Sequence, residues 1–404
     1  MTDAAAALPM AGVRVLDIAT FIAAPMAASI LGEFGADVIK IEQPGGGDPW
    51  RRYGTQSNRA DSTLAWLTEA RNKRSITLNL RAPEGGELFK RLVAEADVVT
   101  ENFRPGTLEK WGLGYDVLSA INPKLVLLRV SGYGQTGPYK DRPGFARIAH
   151  AFGGLTHLAG MPGGPPVTPG STSLGDYMTG MYGAIGVLMA LRERERSGLG
   201  QVVDLALYES VFRALDELAP AYAATGYVRG REGIGTANAC PHGHFECGDG
   251  RWVAIACTSD KMFERLAAAM QRPELATPEI YGHVAKRLQE RGTVDGLVSA
   301  WTKSMDRDAV VAACVASEVP IGAVNAIDEI FADPHFQARG NLVTVDDPET
   351  GPVTVPAVAP RLSRTPGKIT NLGPALASAN GDVFGGLLGL SDAEVQALQA
   401  KGVI

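Results

Sequence analysis

Two runs decide how this chain begins: Val13-Arg-Val-Leu-Asp-Ile-Ala-Thr-Phe-Ile-Ala-Ala-Pro25 and Gly35-Ala-Asp-Val-Ile-Lys-Ile-Glu42. Each holds a stretch rich in β-branched residues, 13–18 and 37–42, of strand length and composition. Between them, 25–34 reads as a helix, with Pro25 suited to its first turn and Gly35 after its end. The alternation continues outward. Residues 75–80, 97–101 and 125–130 read as strands, and 83–96 and 108–121 as helices, with Leu88, Leu92 and Val93 at helical spacing. This pattern predicts an α/β fold with a mostly parallel, helix-covered sheet of Rossmann-like type. The turn after the first strand, Ala19-Thr-Phe-Ile-Ala-Ala-Pro25, carries no G-x-G-x-x-G. The pyrophosphate fingerprint of NAD and FAD enzymes is therefore missing.

The chain has 404 residues, enough for two domains or for one large and one small. Hydrophobic residues make up 45% and charged residues 20%, a balance expected of a globular protein in water. The net charge of −6 gives no reason to expect a nucleic-acid or membrane partner, so an anionic ligand would need local Lys and Arg clusters. Met1-Thr-Asp-Ala-Ala-Ala-Ala-Leu-Pro-Met10 has an acid and no basic segment, and is not read as a secretory leader. Apolar runs such as 181–191 are too short to span a bilayer. Cys240, Cys247, Cys257 and Cys314 suggest no disulfide framework, so a reducing, cytoplasmic setting is expected.

The main candidate for chemistry lies in Thr172-Ser-Leu-Gly-Asp-Tyr-Met-Thr-Gly-Met-Tyr-Gly-Ala-Ile-Gly-Val-Leu-Met-Ala-Leu-Arg192. It reads as a small-residue turn running into a long, almost uncharged helix. Each glycine costs a helix up to about 1 kcal/mol relative to alanine. Gly180, Gly183, Ala184 and Gly186 therefore predict close approach by another backbone or by a ligand. Asp176 sits at the junction, where the helix dipole favours an anion by about 0.3–1 kcal/mol. A capping role alone would account for it. No G-x-S-x-G and no H-E-x-x-H occurs, which leaves Asp176 as the best candidate nucleophile.

Two basic clusters, Arg71-Asn-Lys-Arg-Ser75 and Glu101-Asn-Phe-Arg-Pro-Gly106, flank predicted strands, where open α/β sheets bind ligands. Both offer cations for phosphate, and Phe103 adds an apolar face. Gln43-Pro-Gly-Gly-Gly-Asp-Pro-Trp-Arg-Arg52 is glycine-rich but lacks the Lys-Ser/Thr of a P-loop. Residues 131–176 read as long loops, which inside a compact domain are usually functional. Cys240-Pro-His-Gly-His-Phe-Glu-Cys247 matches no standard zinc spacing. It reads as a substrate-facing loop, and no metal is expected. Residues 198–207 read as a turn and strand, and 208–223 as a helix. A boundary falls near 225–250. Beyond it come a strand at 252–256 and helical patterns over 259–317. Strands at 341–345 and 353–355 follow, then a Pro-rich linker and a terminal helix at 391–401.

Several segments resemble the family III CoA-transferases, the group of formyl-CoA transferase, carnitine CoA-transferase and bile-acid-inducible proteins. They are Val15-Leu-Asp17, Gly35-Ala-Asp-Val-Ile-Lys-Ile-Glu42, Asn72-Lys-Arg-Ser-Ile76, Glu101-Asn-Phe-Arg-Pro-Gly106, Gly132-Tyr-Gly-Gln-Thr-Gly-Pro138, Gly175-Asp176, Gly198-x-Gly-Gln201, Asp249-Gly250 and Asp333-Pro334, in order over nearly the whole chain. The resemblance implies a large Rossmann-like domain made of 1–224 and a returning 331–404. It also implies a small domain over 225–330, and two chains interlocked as a ring-like homodimer. It makes Asp176 the catalytic aspartate, which forms an aspartyl anhydride and then an aspartyl–CoA thioester.

Coenzyme A contacts implied by the resemblance are Ile22 and Ala23 near the thiol, then Leu78, Arg81, Asn102 and Phe103. Lys110 and Arg142 are placed for the CoA phosphates. Asn72, Arg74 and Arg104 join them from the basic clusters, and Gln43 stands where formyl-CoA transferase has arginine. The Pro241-His-Gly-His244 region is the expected cover of the site. Arg51, Arg52, His242 and His244 are candidates for a second carboxylate. The expected reaction is transfer of CoA from an acyl-CoA, such as succinyl-CoA, to a small dicarboxylic acid. α-Methylacyl-CoA racemases share this fold but pair the aspartate with histidine in a Gly-His-Asp segment, where this chain has Gly144-Phe145-Ala146. That departure favours transfer over racemisation. A non-catalytic CoA-binding protein is the remaining alternative.

Overall fold

The computed structural model describes residues 7–170 and 172–404. The first six residues of the segment read as lacking a leader lie outside the described residues. Six strands form one sheet: β1 (Arg14–Asp17), β2 (Asp37–Glu42), β3 (Lys73–Thr77), β4 (Val98–Glu101), β5 (Val126–Ser131) and β6 (Val202–Ala206). Their order is β3-β2-β1-β4-β5-β6, and every neighbouring pair is parallel. This is the doubly wound order, in which sheet growth reverses between β1 and β4. Strands β4 and β5 are buried along their whole length, as a sheet covered on both faces requires. Alternation along the strands sends Leu16, Ile39 and Leu127 to one core with Phe89 and Leu92. It sends Val15, Val98 and Leu128 to the other, against the first helix (Ala23–Glu33) and the long helix (Leu174–Ser197).

The long helix shows what its glycines are for. A Cβ on Gly180 would lie 2.7 Å from Met26 and 2.9 Å from the Ala23 carbonyl oxygen; on Gly183 it would lie 3.0 Å from Leu128. The missing side chains let the long helix press against the first helix and β5. Asp176 is not the cap of this helix. Ser173 holds the N-cap position without a side-chain hydrogen bond, and Asp176 lies inside the first turn.

Three other expectations change. Strand β3 begins two residues earlier than 75–80, because Lys73 and Arg74 are strand residues rather than loop cations. The helical region 108–121 divides into Thr107–Lys110 and Tyr115–Ile121 around Gly112, whose φ of +69° ends a helix. The region read as 208–223 divides into Leu207–Arg213 and Leu218–Thr225, with Asp216 at φ +50° between them.

The chain divides into two compact units, one of residues 1–155, 170–216 and 336–404, the other of 156–169 and 217–335. The C-terminal segment of the first unit runs along β3. The Ala379 amide donates to the Ser75 carbonyl at 2.9 Å, and Asn380 Oδ1 accepts from the Thr77 amide at 3.0 Å. The second unit holds an antiparallel sheet of β7 (His242–Glu246), β8 (Trp252–Ala256) and β9 (Ile321–Ala323). Residues 240–247, read as a loop, thus centre on a strand. Buried Phe245 points to one side, and His242 and His244 to the other. Arg287, fully buried, ties this unit together, donating to the carbonyls of Cys240 at 2.7 Å and Tyr281 at 2.8 Å and to Asp260 at 2.8 Å. The four cysteines are buried and unbridged, and burial pushes the thiols of Cys240, Cys257 and Cys314 up to about 12. Among the described residues, no helix is long and apolar enough to cross a membrane.

These contacts set opposite outcomes for two glycines. Gly180→Ala adds helix propensity but forces a close contact, and overpacking costs about 1–3 kcal/mol. Gly296, in the helix Arg291–Thr302, has nothing within 4 Å of an added Cβ. Chemical denaturation is expected to show Gly180→Ala less stable than wild type and Gly296→Ala more stable by about 0.5–1 kcal/mol.

Candidate active site

The sheet reverses between β1 and β4, and both chains leave their strands there into loops. The β1 loop runs from Ile18 to Ile22, and the β4 loop is the cluster 102–106. Asn102 clamps one to the other. Its Oδ1 accepts from the Thr20 amide at 2.8 Å, and its Nδ2 donates to the Thr20 carbonyl at 2.6 Å. Phe103 is set by Glu101, whose Oε2 accepts from the Phe103 amide at 2.7 Å. Burial pushes the Glu101 carboxyl up to about 7, although Arg129 pairs with it at 2.7 Å.

Beneath the β1 loop lies a buried chain of charge. Lys73 pairs with Asp17 at 2.8 Å, Lys40 with Asp17 at 3.5 Å, and Lys40 with Asp48 at 2.9 Å. Burial opposes ionisation of Asp17, but the two lysines pull its carboxyl below the ordinary value. Asp48 then accepts from the Phe21 amide at 3.1 Å. Phe21 has φ +62°, a conformation costing a non-glycine residue about 1–3 kcal/mol. Its ring meets Phe145 edge-on at 6.0 Å.

The resulting cavity is lined by Thr20, Phe21, Ile22, Ala23, the 102–105 loop, Arg142, Phe145 and Asp176. Residues from the loops after β1 and β4 and from the long helix therefore meet, although 156 positions separate Thr20 from Asp176. Asp176 is half-buried, and burial alone pushes its carboxyl up to about 7. Among the described residues, no hydrogen bond reaches it. The amide protons of the turn around Asp176 are already engaged. The Gly175 amide donates to His150 Nε2 at 2.7 Å, and those of Asp176 and Tyr177 donate to the Ser173 carbonyl.

A second cavity shares Thr20 and Phe103 with the first and adds Gln43, Leu78, Arg81 and Trp111. A third shares Arg81 and Trp111 with the second and adds Lys90, Arg91 and Lys110. The three adjoin as one track through shared lining residues; its first part holds Asp176 with Arg104 and Arg142, and its last part holds Arg81, Lys90, Arg91 and Lys110 with Glu84 and Glu87.

Residues 10–380 match the family model of CoA-transferase family III. The chain belongs to CoA-transferase family III. It is 56% identical over 397 residues to the alpha subunit of succinyl-CoA–L-malate CoA-transferase of Chloroflexus aurantiacus, covering 98% of this chain and 93% of that one. It is 57% identical over 399 residues to the beta subunit, covering 98% of each chain. The crystal structure of a CAIB/BAIF family protein from Brucella suis matches with a TM-score of 0.83 at 35% identity, over 95% of this chain and all of that one. As a CoA-transferase, the chain takes CoA thioesters as substrates.

The structure brings together Asp176, Ile22, Ala23, Asn102, Phe103, Arg104 and Arg142 in the first cavity, and Gln43, Leu78, Arg81 and Lys110 along the track. The cluster 71–75 does not join this family III site. Strand β3 starts there, and ligands gather at the opposite, carboxyl ends of the strands. Arg71 pairs with Glu33 at 2.6 Å and Arg74 with Asp37 at 2.7 Å, while Asn72 donates to the Lys368 carbonyl at 2.6 Å. Arg51 is buried, held by both oxygens of Glu42 at 2.7 Å and stacked over Trp66 at 3.9 Å, so it is not a free carboxylate receptor. Arg52 is exposed and donates to the Gly46 carbonyl. His242 and His244 belong to the second unit. Trp111, Lys90 and Arg91 escaped the sequence reading. They carry no motif and are joined to the track only by folding.

The environment of Asp176 has a consequence for stability. Its folded-state value of about 7 lies above the ordinary unfolded value of about 3.9. The folded state therefore holds an extra proton between those values, and stability falls as pH rises through that window. Asp176→Asn removes this loss. The variant is expected to melt above wild type at pH 8, with the difference closing as pH falls to 4; equal melting at pH 8 contradicts the assignment.

Proposed function

We propose that this chain moves CoA from succinyl-CoA to a small dicarboxylic acid, with Asp176 as the nucleophile. The observation that carries the reading is Asp176, half-buried and without an ion pair among the described residues, in the cavity where the sheet reverses. The adjoining cavities offer Arg81, Lys90, Arg91 and Lys110 to the phosphates of a CoA thioester whose acyl carbon lies at Asp176. The choice of acids is supported by the relatives. Besides the two L-malate subunits, the chain is 44% identical to succinyl-CoA–D-citramalate CoA-transferase of Chloroflexus aurantiacus. It is 35% identical to succinate–glutarate CoA-transferase of Agrobacterium fabrum.

The Asp176 carboxylate attacks the thioester carbonyl. The C–S bond breaks, and a mixed anhydride and CoA thiolate form. The thiolate attacks the aspartyl carbonyl, releasing the donor acid and leaving CoA as an aspartyl thioester. The acceptor carboxylate reverses the two steps. A serine ester would not keep the acyl group activated enough for thioester formation. The start of the first helix, at Ile22 and Ala23, is the polar backbone placed to face the developing oxyanion. Asn102 acts in this scheme by fixing Thr20, and Arg81 and Lys110 meet the phosphates, while Arg104 and Arg142, expected among the CoA contacts, line the Asp176 cavity itself. His242 and His244 remain the candidates for the second carboxylate. The assembly that fits the family is a ring-like, interlocked homodimer, in which each chain forms a large domain with its C-terminal segment returned to it and a small domain between. The working compartment is the cytoplasm.

The racemase alternative is disfavoured by Phe145. It lines the cavity with Asp176 at the place where a racemase would need a proton-exchanging histidine, and its ring holds no exchangeable proton.

Asp176→Ala is expected to lose transfer by at least about a thousandfold, and borohydride is expected to trap an aspartyl–CoA thioester only in wild type. Substantial residual transfer would sink the nucleophile. A donor–acceptor screen with succinyl-CoA should rank malate, citramalate and related diacids above monocarboxylates; the reverse order overturns the substrate class. Deuterium at the α-carbon of a 2-methylacyl-CoA after incubation in deuterated water would favour the racemase instead. Light scattering on the purified chain should give twice the monomer mass.

A further inference from the structure

We infer that His150 is a positioning residue for Asp176: its neutral ring replaces the missing cap of the long helix and holds the turn that carries the carboxylate. The inference rests on the reading of Asp176 as nucleophile. His150 lies in the helix Ala146–Phe152 and is 1% exposed. Its Nε2 accepts from the amide of Gly175, the residue before Asp176, at 2.7 Å. A helix start leaves amide protons that a Ser, Thr, Asp or Asn cap ordinarily takes. Ser173 takes none with its side chain. The ring from a neighbouring helix does so instead.

The fit is steric as well as polar. A Cβ on Gly175 would lie 3.1 Å from both Cδ2 and Nε2 of the ring, tighter than ordinary contact. Glycine is there because the imidazole lies against its backbone. The carbonyl of the same residue accepts from Thr179 Oγ1 at 2.7 Å. Gly175 is thus tied at its amide by another helix and at its carbonyl by its own. Asp176 follows immediately, with no side-chain hydrogen bond of its own among the described residues to fix its carboxylate.

The choice of histidine has a reason in charge. The usual carboxylate cap would put a second anion beside the group that must ionise and attack, and like charges disfavour that. An imidazole that accepts at Nε2 carries its proton on Nδ1 and stays neutral. Burial, aided by Arg147, lowers its tendency to take a second proton. The ring does not line the Asp176 cavity, so it exchanges no proton with substrate. Its effect passes through the position of Asp176.

Full-length His150→Leu and His150→Gln separate this from a packing role. Leucine fills the space without an acceptor, whereas the glutamine amide oxygen restores one. The expected result is a kcat in His150→Leu lower by about 10- to 100-fold, the cost of a misplaced reacting group. KM for succinyl-CoA should stay within about twofold. Formation of the trapped aspartyl–CoA thioester in a single turnover should slow in parallel, and His150→Gln should recover most of the loss. Wild-type kcat in His150→Leu, or equal impairment of both variants, overturns the inference. Should His150→Leu not fold, His150→Asn is compared with His150→Gln; its shorter side chain should lose the rate that glutamine keeps, and equal rates overturn the inference. Asp176→Ala run alongside keeps the two readings apart. If it retains transfer, the nucleophile fails; if it is inactive while His150→Leu is normal, only the positioning role fails.

Discussion

Four charged side chains buried under the β1 loop hold the carboxyl end of the sheet in place. Lys73, Asp17, Lys40 and Asp48 are each at most 2% exposed and are linked at 2.8–3.5 Å. Removing one partner from such a set costs about 3–5 kcal/mol, because it strands the remaining charge. What the set achieves is geometric. Asp17 binds the Ala19 amide and Thr100, joining β1 to β4. Asp48 binds the Phe21 amide and keeps that residue at a positive φ that only surrounding structure can maintain. Asn102 adds its clamp on Thr20. The loop that lines the Asp176 cavity is therefore held from below by charge and from the side by an amide.

Asp176, the proposed nucleophile, is treated in the opposite way. The structural acids have dedicated cations: Asp17 has two lysines, Glu42 has Arg51, and Glu33 has Arg71. Asp176 has none of these contacts, and burial raises its proton affinity. An ion-paired carboxylate would be a poor nucleophile, because its lone pairs would already be stabilised. The charge that the structural acids receive from cations is replaced at Asp176 by position. The turn is fixed through Gly175, and the glycine face of the long helix brings that turn down onto the first helix.

Much of this was legible in the residues. The alternation of strands and helices announced the parallel sheet, and the cluster read as flanking a ligand site after β4 lines the Asp176 cavity. The glycines of the long helix announced a close approach, which the structure assigns to the first helix and β5. The misreadings share one cause. Arg51, Arg71 and Arg74 look like available cations in a one-dimensional text. Their partners, Glu42, Glu33 and Asp37, lie 9 to 38 positions away and meet them only in the fold. His150 carries no motif that marks it in the sequence. Its actual partner, Gly175, is 25 residues along.

Sequence alone determined the fold class and the family, and singled out Asp176 as the residue proposed to react. These rest on local periodicity and on ordered short motifs, and both survive in a linear string. Tertiary structure decided which polar groups are free to act. Availability depends on what else is buried beside a group, and burial brings together residues that the chain keeps far apart. The same Arg that binds a phosphate on an open loop becomes a girder when a strand begins beneath it. The same His that could exchange a proton becomes an acceptor when a helix start closes over it.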